Sequence, residues 1–137
     1  MSLGMNQIAI AAYTSCLYLM LSGSALAQPR LPFSPTDQEM LRLPEECQVI
    51  RKGGRAADDY AKRLQAQGIT GISHYCAGMN FMNRAKSASL NKIERRFNLQ
   101  SSIGEFDYVL GHSAPNATGR QAIQALKEQA EMMLKHL

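Results

Sequence analysis

Residues 72–110 read ISHYCAGMNFMNRAKSASLNKIERRFNLQSSIGEFDYVL and contain two helical patterns in succession. From Ile72, apolar side chains recur at Tyr75 or Cys76, Met79, Met82 and Ala85. A longer pattern then runs through Leu90, Ile93 and Phe97 and continues, with a small phase shift, through Leu99, Ile103, Phe106 and Leu110. Because a spacing of three and four residues marks one face of a helix, both segments are predicted to be helices with these side chains inward.

Further helices are predicted on both sides of this stretch. Ser34 followed by Pro35 has the chemistry of a helix start, and Pro44 followed by two acids restarts the helix. The predicted segments are residues 34–42, 44–52 and 56–67, and a last one from Thr118 or Gly119 to Leu137. No segment alternates convincingly with period two. The chain is therefore predicted to be all-α, with four or five helices in antiparallel hairpins.

Residues 1–27 are predicted to be a signal peptide. They contain no charged side chain, have an apolar core over residues 8–21, and end with Ala25 and Ala27 at the positions that the peptidase requires. The alternative is an uncleaved anchor, but about 20 apolar residues are needed to span a bilayer and this core is shorter. We therefore expect a periplasmic or secreted protein, which would be membrane-tethered only if the leader were retained.

The remaining chain divides into a lead-in and one domain. Residues 28–35 contain three prolines and are predicted to be extended, and residues 36–137 form the predicted helical domain. The formal net charge of +4 lies entirely after the leader. An acidic partner and a solvated helix face both account for the basic residues, whereas nucleic acid is not predicted because no recognition motif accompanies the charge.

Cys47 and Cys76 are the cysteines left after removal of the leader. In an oxidising compartment they are expected to form a disulfide. For a closed loop of this length, chain entropy gives about 3.5 kcal/mol of stabilisation. Two free buried thiols or a metal site are the alternatives.

The candidate catalytic and metal-binding side chains do not predict a reaction. The candidate catalytic side chains are those of His74, Tyr75, Asp107 and Tyr108, but the sequence contains no nucleophile motif and no phosphate loop. His74 and Cys76 are two residues apart, so they lie on different faces of a helix, and no zinc-ligand spacing accompanies them. We therefore expect no enzyme activity, no catalytic residue, no metal and no cofactor.

Two motifs carry a family resemblance. Leu-Pro-x-x-Cys at residues 43–47 and His-Tyr-Cys-x-Gly at residues 74–78, followed by Asn83-Arg84-Ala85, resemble the front part of exported bacterial tetratricopeptide-type proteins. The similarity extends over residues 43–135. It implies a tetratricopeptide-like scaffold of helical hairpins that holds a peptide or a protein.

The predicted function is that of an exported scaffold or adaptor that binds a protein or peptide partner. The predicted surface is a groove between residues 72–86 and 90–110, with Asn80, Asn83 and Arg84 as polar contacts. These three residues are equally well explained as exposed side chains or caps of local turns. The alternative function is a small-ligand or metal-binding periplasmic protein built on His74, Cys76 and the nearby methionines. The oligomeric state is left open.

Overall fold

The computed structural model describes residues 32–137, and within this range every regular element is a helix. The signal peptide predicted for residues 1–27 and the first residues of the lead-in lie outside the described residues. The helices are α1 (Asp37–Met40), α2 (Glu45–Lys52), α3 (Gly54–Ala66), α4 (Ile72–Ala85), α5 (Lys92–His112) and α6 (Arg120–Lys135). The predicted all-α class is confirmed, with six helices over residues 32–137 where four or five were expected.

Two capping boxes define helix starts. The Thr36 hydroxyl accepts the backbone N–H of Glu39, whose carboxylate accepts the backbone N–H of Thr36 in return. Asn91 and Glu94 make the same reciprocal pair at the start of α5. These bonds satisfy amide groups that the first helical turn leaves without partners. The first helix therefore begins two residues later than the start predicted at Ser34.

Helices α4 and α5 pack against each other in an antiparallel hairpin. Near the beginning of α4, His74 Nδ1 lies 2.7 Å from Glu105 Oε2, and further along α4 the Ser102 hydroxyl donates to the Gly78 carbonyl at 2.8 Å. Residue numbers thus rise along α4 as they fall along α5. The contact is close because Gly78 faces the buried ring of Phe106.

Helix α6 returns along α5 and completes a three-helix unit. The Lys127 ammonium lies 2.7 Å from Asp107 Oδ1, and the Arg120 guanidinium donates to the Leu110 carbonyl near the connecting turn. The fully buried Ala130 belongs to the apolar cluster that α6 shares with the two other helices. Within residues 32–137, none of the helices is both long enough and apolar enough to cross a membrane.

Replacing Gly78 by alanine is expected to destabilise the domain. A Cβ atom at Gly78 would lie 2.8 Å from Cε1 of Phe106. We expect a net loss of about 1–2 kcal/mol in unfolding free energy, because overpacking outweighs the gain of about 1 kcal/mol in helix propensity. Gly111→Ala is the matched control, since a Cβ there meets no heavy atom within 4 Å. Urea unfolding in which both variants equal or exceed the wild type would contradict this packing.

Candidate functional site

The N-terminal segment, which comprises residues 32–47, is bonded to α4 at two places. The sulfur atoms of Cys47 and Cys76 are joined, with the Cα atoms 5.5 Å apart. Two turns further along α4, Arg84 binds the other end of the segment. Cys76, Asn80 and Arg84 are spaced by four residues and share one face of the helix. The N-terminal segment therefore covers this face of α4.

The disulfide confirms the predicted pairing of Cys47 with Cys76. It joins α2 to α4 and closes a loop with a sequence separation of 29. Because the Cys76 sulfur is bonded to carbon and sulfur, it has no thiolate to offer a metal ion. In the oxidised protein Cys76 is therefore not available as a metal ligand, and the metal-binding alternative stays a prediction without it.

The guanidinium of Arg84 forms its hydrogen bonds within the domain. Its Nε and Nη2 atoms donate to the two carboxylate oxygens of Glu39 at 2.6 and 2.8 Å. The carbonyls of Pro32 and Ser34 accept from Nη1 and Nη2 at 2.7 and 3.3 Å. Arg84 is only 6% exposed. The prediction that Arg84 is a surface contact for a partner is therefore wrong, because the N-terminal segment occupies its donors.

Acid is expected to weaken this attachment. Hydrogen bonding by Arg84 is the main reason why the pKa of Glu39 falls from 4.5 to about 2. A lowered pKa stabilises the folded state above about pH 4.5, and that stabilisation, about 3 kcal/mol, is lost as the pH falls towards 2. The Glu39→Gln variant lacks this titration, so its unfolding free energy should decline less over the same interval. Parallel declines for the two proteins, followed by circular dichroism in urea, would contradict the assignment.

Asn80 and Asn83 occupy different environments. Asn80 is only 2% exposed, and its Nδ2 atom has no hydrogen-bond partner in the part of the chain that the structure describes. The expectation that Asn80 is a surface contact is wrong, because it lies between Cys76 and Arg84 on the covered face of α4. Asn83 is half-buried, and its role as a partner contact stays a prediction.

The predicted groove between residues 72–86 and 90–110 is filled at its middle, around Gly78. Phe106 of α5 lies directly against Gly78 of α4, and the Ser102 hydroxyl bonds the Gly78 carbonyl. Both α5 side chains are fully buried. An extended peptide therefore has no space between the two helices at the level of Gly78.

A stack of three aromatic rings lies across α4 and α5. The ring of Tyr108 stacks on His74 on one side, with centroids 3.7 Å apart, and on His112 on the other, at 4.0 Å. Nδ1 of His74 pairs with Glu105, and Nδ1 of His112 pairs with the Tyr108 carbonyl at 2.8 Å. Because a carboxylate and a carbonyl only accept hydrogen bonds, both Nδ1 atoms carry the proton in this arrangement.

This stack restricts the position of the Tyr108 ring. The two imidazoles lie on opposite faces of the phenol ring, so one metal ion has no common position between them. Among residues 32–137, no group of three or more His, Cys, Asp or Glu side chains is arranged to hold a metal ion. The arrangement therefore favours a rigid aromatic surface.

The outer face of α5 is the largest departure from the sequence-based expectation. Ile93 and Phe97 were predicted to point inward, but they are 80% and 63% exposed. The residues that share this solvent-facing side, called here the outer face of α5, are Ile93, Phe97, Gln100, Gly104, Tyr108 and Gly111. The charged residues Arg96 and Asp107 are also exposed and lie along one edge of this face, whose centre carries no charge. Exposed helix faces usually carry charged and polar side chains, so this surface is a candidate for contact with another molecule.

Comparison of the chain with protein-family models, with curated proteins and with solved structures finds no match.

Proposed function

We propose that this chain is an exported helical scaffold that binds a protein or peptide partner through the outer face of α5. The observation that carries the proposal is the exposure of Ile93 and Phe97, one turn apart on a helix whose opposite side is the core. Burying two such side chains against a partner contributes about 1.5–3 kcal/mol each. The proposal contains no catalytic step.

The glycines of this face support the proposal. An added Cβ at Gly104 or Gly111 would meet no heavy atom within 4 Å, so neither glycine serves a contact within the described residues. Gly104 lies in the helix interior, where glycine costs about 1 kcal/mol relative to alanine. A partner backbone that approaches α5 closely would offset this cost.

Tyr108 supplies a preorganised contact at the other end of the face. It is 41% exposed, and the stacking of His74 and His112 on its two sides restricts its ring. A side chain that is already held in place loses little conformational entropy on binding. Tyrosine is also among the residues enriched in binding hot spots.

The proposal also includes a tetratricopeptide-like architecture and a location outside the cytoplasm. The antiparallel pairs α4–α5 and α5–α6 support a tetratricopeptide-like arrangement of hairpins. The Cys47–Cys76 bond supports a periplasmic or secreted location, because disulfides persist in oxidising compartments. A small-ligand or metal-binding role has less support, since the Cys76 sulfur is already bonded to Cys47.

Site-specific photo-crosslinking tests the proposal. A photoreactive amino acid at Gln100, in the middle of the outer face, is expected to trap a protein when the full chain is expressed in a cell that exports it. The same amino acid at Lys62, an exposed position on α3, is the matched control. Adducts at Gln100 but not at Lys62 would support the proposal. No adduct at Gln100, or equal labelling at both positions, would refute it.

A further inference from the structure

The outer face of α5 has features that match a second copy of itself. We infer that two copies of this chain pair antiparallel through this face. The inference rests on the proposed function and names the partner. It depends on how bulky side chains, glycines and charges are distributed along the helix.

The shapes of the two halves of the face are complementary. Ile93 and Phe97 lie in the N-terminal half, whereas Gly104 lies in the C-terminal half with open space above it. In an antiparallel pair centred between Gln100 and Ser101, Phe97 of each copy lies opposite Gly104 of the other. The aromatic ring then occupies the space that glycine leaves, and this happens twice because the pair is symmetric. The Phe97 ring of each copy therefore has a complementary surface on the other copy.

The same register places Ile93 opposite Tyr108. Ile93 is an exposed aliphatic side chain, and Tyr108 is held by the two histidine rings beside it. Aromatic and aliphatic side chains of this kind form the core of many interfaces. The apolar residues of the face are thus all covered in one arrangement.

The charges favour the antiparallel orientation over the parallel one. The N-terminal half of α5 contains Lys92, Arg95 and Arg96 against the single acid Glu94, whereas the charged residues of the C-terminal half are Glu105 and Asp107. Counted along α5 alone, antiparallel pairing brings each basic half to the half that contains Glu105 and Asp107, whose partners within the domain are His74 and Lys127. Parallel pairing would bring like charges together, which opposes association.

Arg96 and Asp107 give this complementarity a specific contact. Both lie on the same edge of the outer face, and a two-fold axis across the helix pair brings the Arg96 edge of one copy to the Asp107 edge of the other. The Asp107 side chain is 52% exposed and is held at that edge by Lys127 at 2.7 Å. Because each copy uses the same surface, the arrangement closes as a dimer and does not extend into a filament.

Sedimentation analysis of the oxidised protein tests the inference. The wild type is expected to sediment with twice the monomer mass. Gly104→Leu is expected to raise the dimer dissociation constant by about tenfold or more, because leucine fits the open monomer surface but meets Phe97 of the second copy. Lys62→Leu is the control, since Lys62 is exposed on α3 and lies outside the outer face of α5. Equal effects of the two variants would overturn the proposed register.

A charge reversal gives an independent measurement. Arg96→Asp should weaken the dimer severalfold, and Arg96→Asp combined with Asp107→Arg should restore it. Lys62→Glu on α3 should leave it unchanged. Failure of the double variant to restore association, while its circular dichroism spectrum matches the wild type, would overturn the antiparallel pairing.

Sedimentation and crosslinking together distinguish the absence of a dimer from the absence of any partner. If the wild type stays monomeric at every concentration and the photoreactive group at Gln100 traps a different protein, the second-copy inference is overturned and the proposed function stands. If the protein stays monomeric and Gln100 traps nothing, both are overturned. If the Gln100 adduct contains two copies of this chain, both are supported.

Discussion

Arg84→Ala is expected to lower the unfolding free energy by about 3–5 kcal/mol, because removal of one member of a buried ion pair leaves the other without its partner. Glu39 would lose both of its bonds to the guanidinium, and the carbonyls of Pro32 and Ser34 would lose theirs. For a domain of this size the midpoint of thermal unfolding should fall by about 15 °C or more. Thermal and urea unfolding followed by circular dichroism measure the loss.

A double-mutant cycle separates the ion pair from the loss of packing. In a Glu39→Gln background, Arg84→Ala should cost about 1–3 kcal/mol less than in the wild type, because part of the interaction has already been removed. Arg84→Lys retains a charge but lacks the planar fork that binds Glu39 at two oxygens, so it should recover only part of the stability. Strict additivity of the two single substitutions would show that Arg84 acts without Glu39.

Replacement of both Cys47 and Cys76 by alanine is the second change with a large expected effect. Loss of the crosslink should lower the unfolding free energy by about 3.5 kcal/mol, because the loop of separation 29 regains its freedom in the unfolded chain. Urea unfolding of the oxidised wild type and of the double variant gives the difference. Replacing both residues avoids leaving one unpaired thiol.

Reduction of the wild type provides the control for this experiment. A reducing agent should bring the wild-type unfolding curve to that of the Cys47→Ala/Cys76→Ala variant and should not move the curve of the variant itself. Equal stability of the oxidised and reduced wild type would show that the bond does not contribute to folding. A shift in the variant would point to an effect of the reductant unrelated to this bond.

The elements of the fold were predictable where the local pattern was strong. The apolar spacing from Ile72 to Ala85 predicted α4 to within one residue, and the last helix, Arg120–Lys135, begins one residue after the predicted Gly119. The predicted export, together with the two cysteines that remain after the predicted leader, predicted the Cys47–Cys76 pair. These predictions succeed because helical periodicity and capping depend on residues close together in the sequence. The cysteine pairing succeeds because only two cysteines follow the predicted leader.

The inward orientation of Ile93 and Phe97 was predicted wrongly because two stripes compete on one helix. A straight helix presents one core face, and the stripe of Leu99, Phe106 and Leu110 faces the other helices. The phase shift between Phe97 and Leu99 was the visible signal. Only the packing of α4 against the longer stripe decides which side is buried, and that is a tertiary effect.

The buried polar residues were missed for a related reason. An arginine and an asparagine in an amphipathic pattern are most often exposed, so Arg84 and Asn80 were predicted to contact a partner. The residues that bury Arg84 lie about 50 positions earlier, at Pro32 and Ser34. The pattern around Arg84 contains no information about such a distant segment.

The two attachments of the N-terminal segment give the domain a defined response to mechanical force. Tension applied to the chain at Pro32 loads the guanidinium bonds of Arg84 first, and once they break the segment peels away only as far as Cys47. At about 3.3–3.6 Å per residue this first step lengthens the molecule by at most about 50 Å. The covalent link to Cys76 then transmits the load into α4, so the loop between the two cysteines stays shielded from extension.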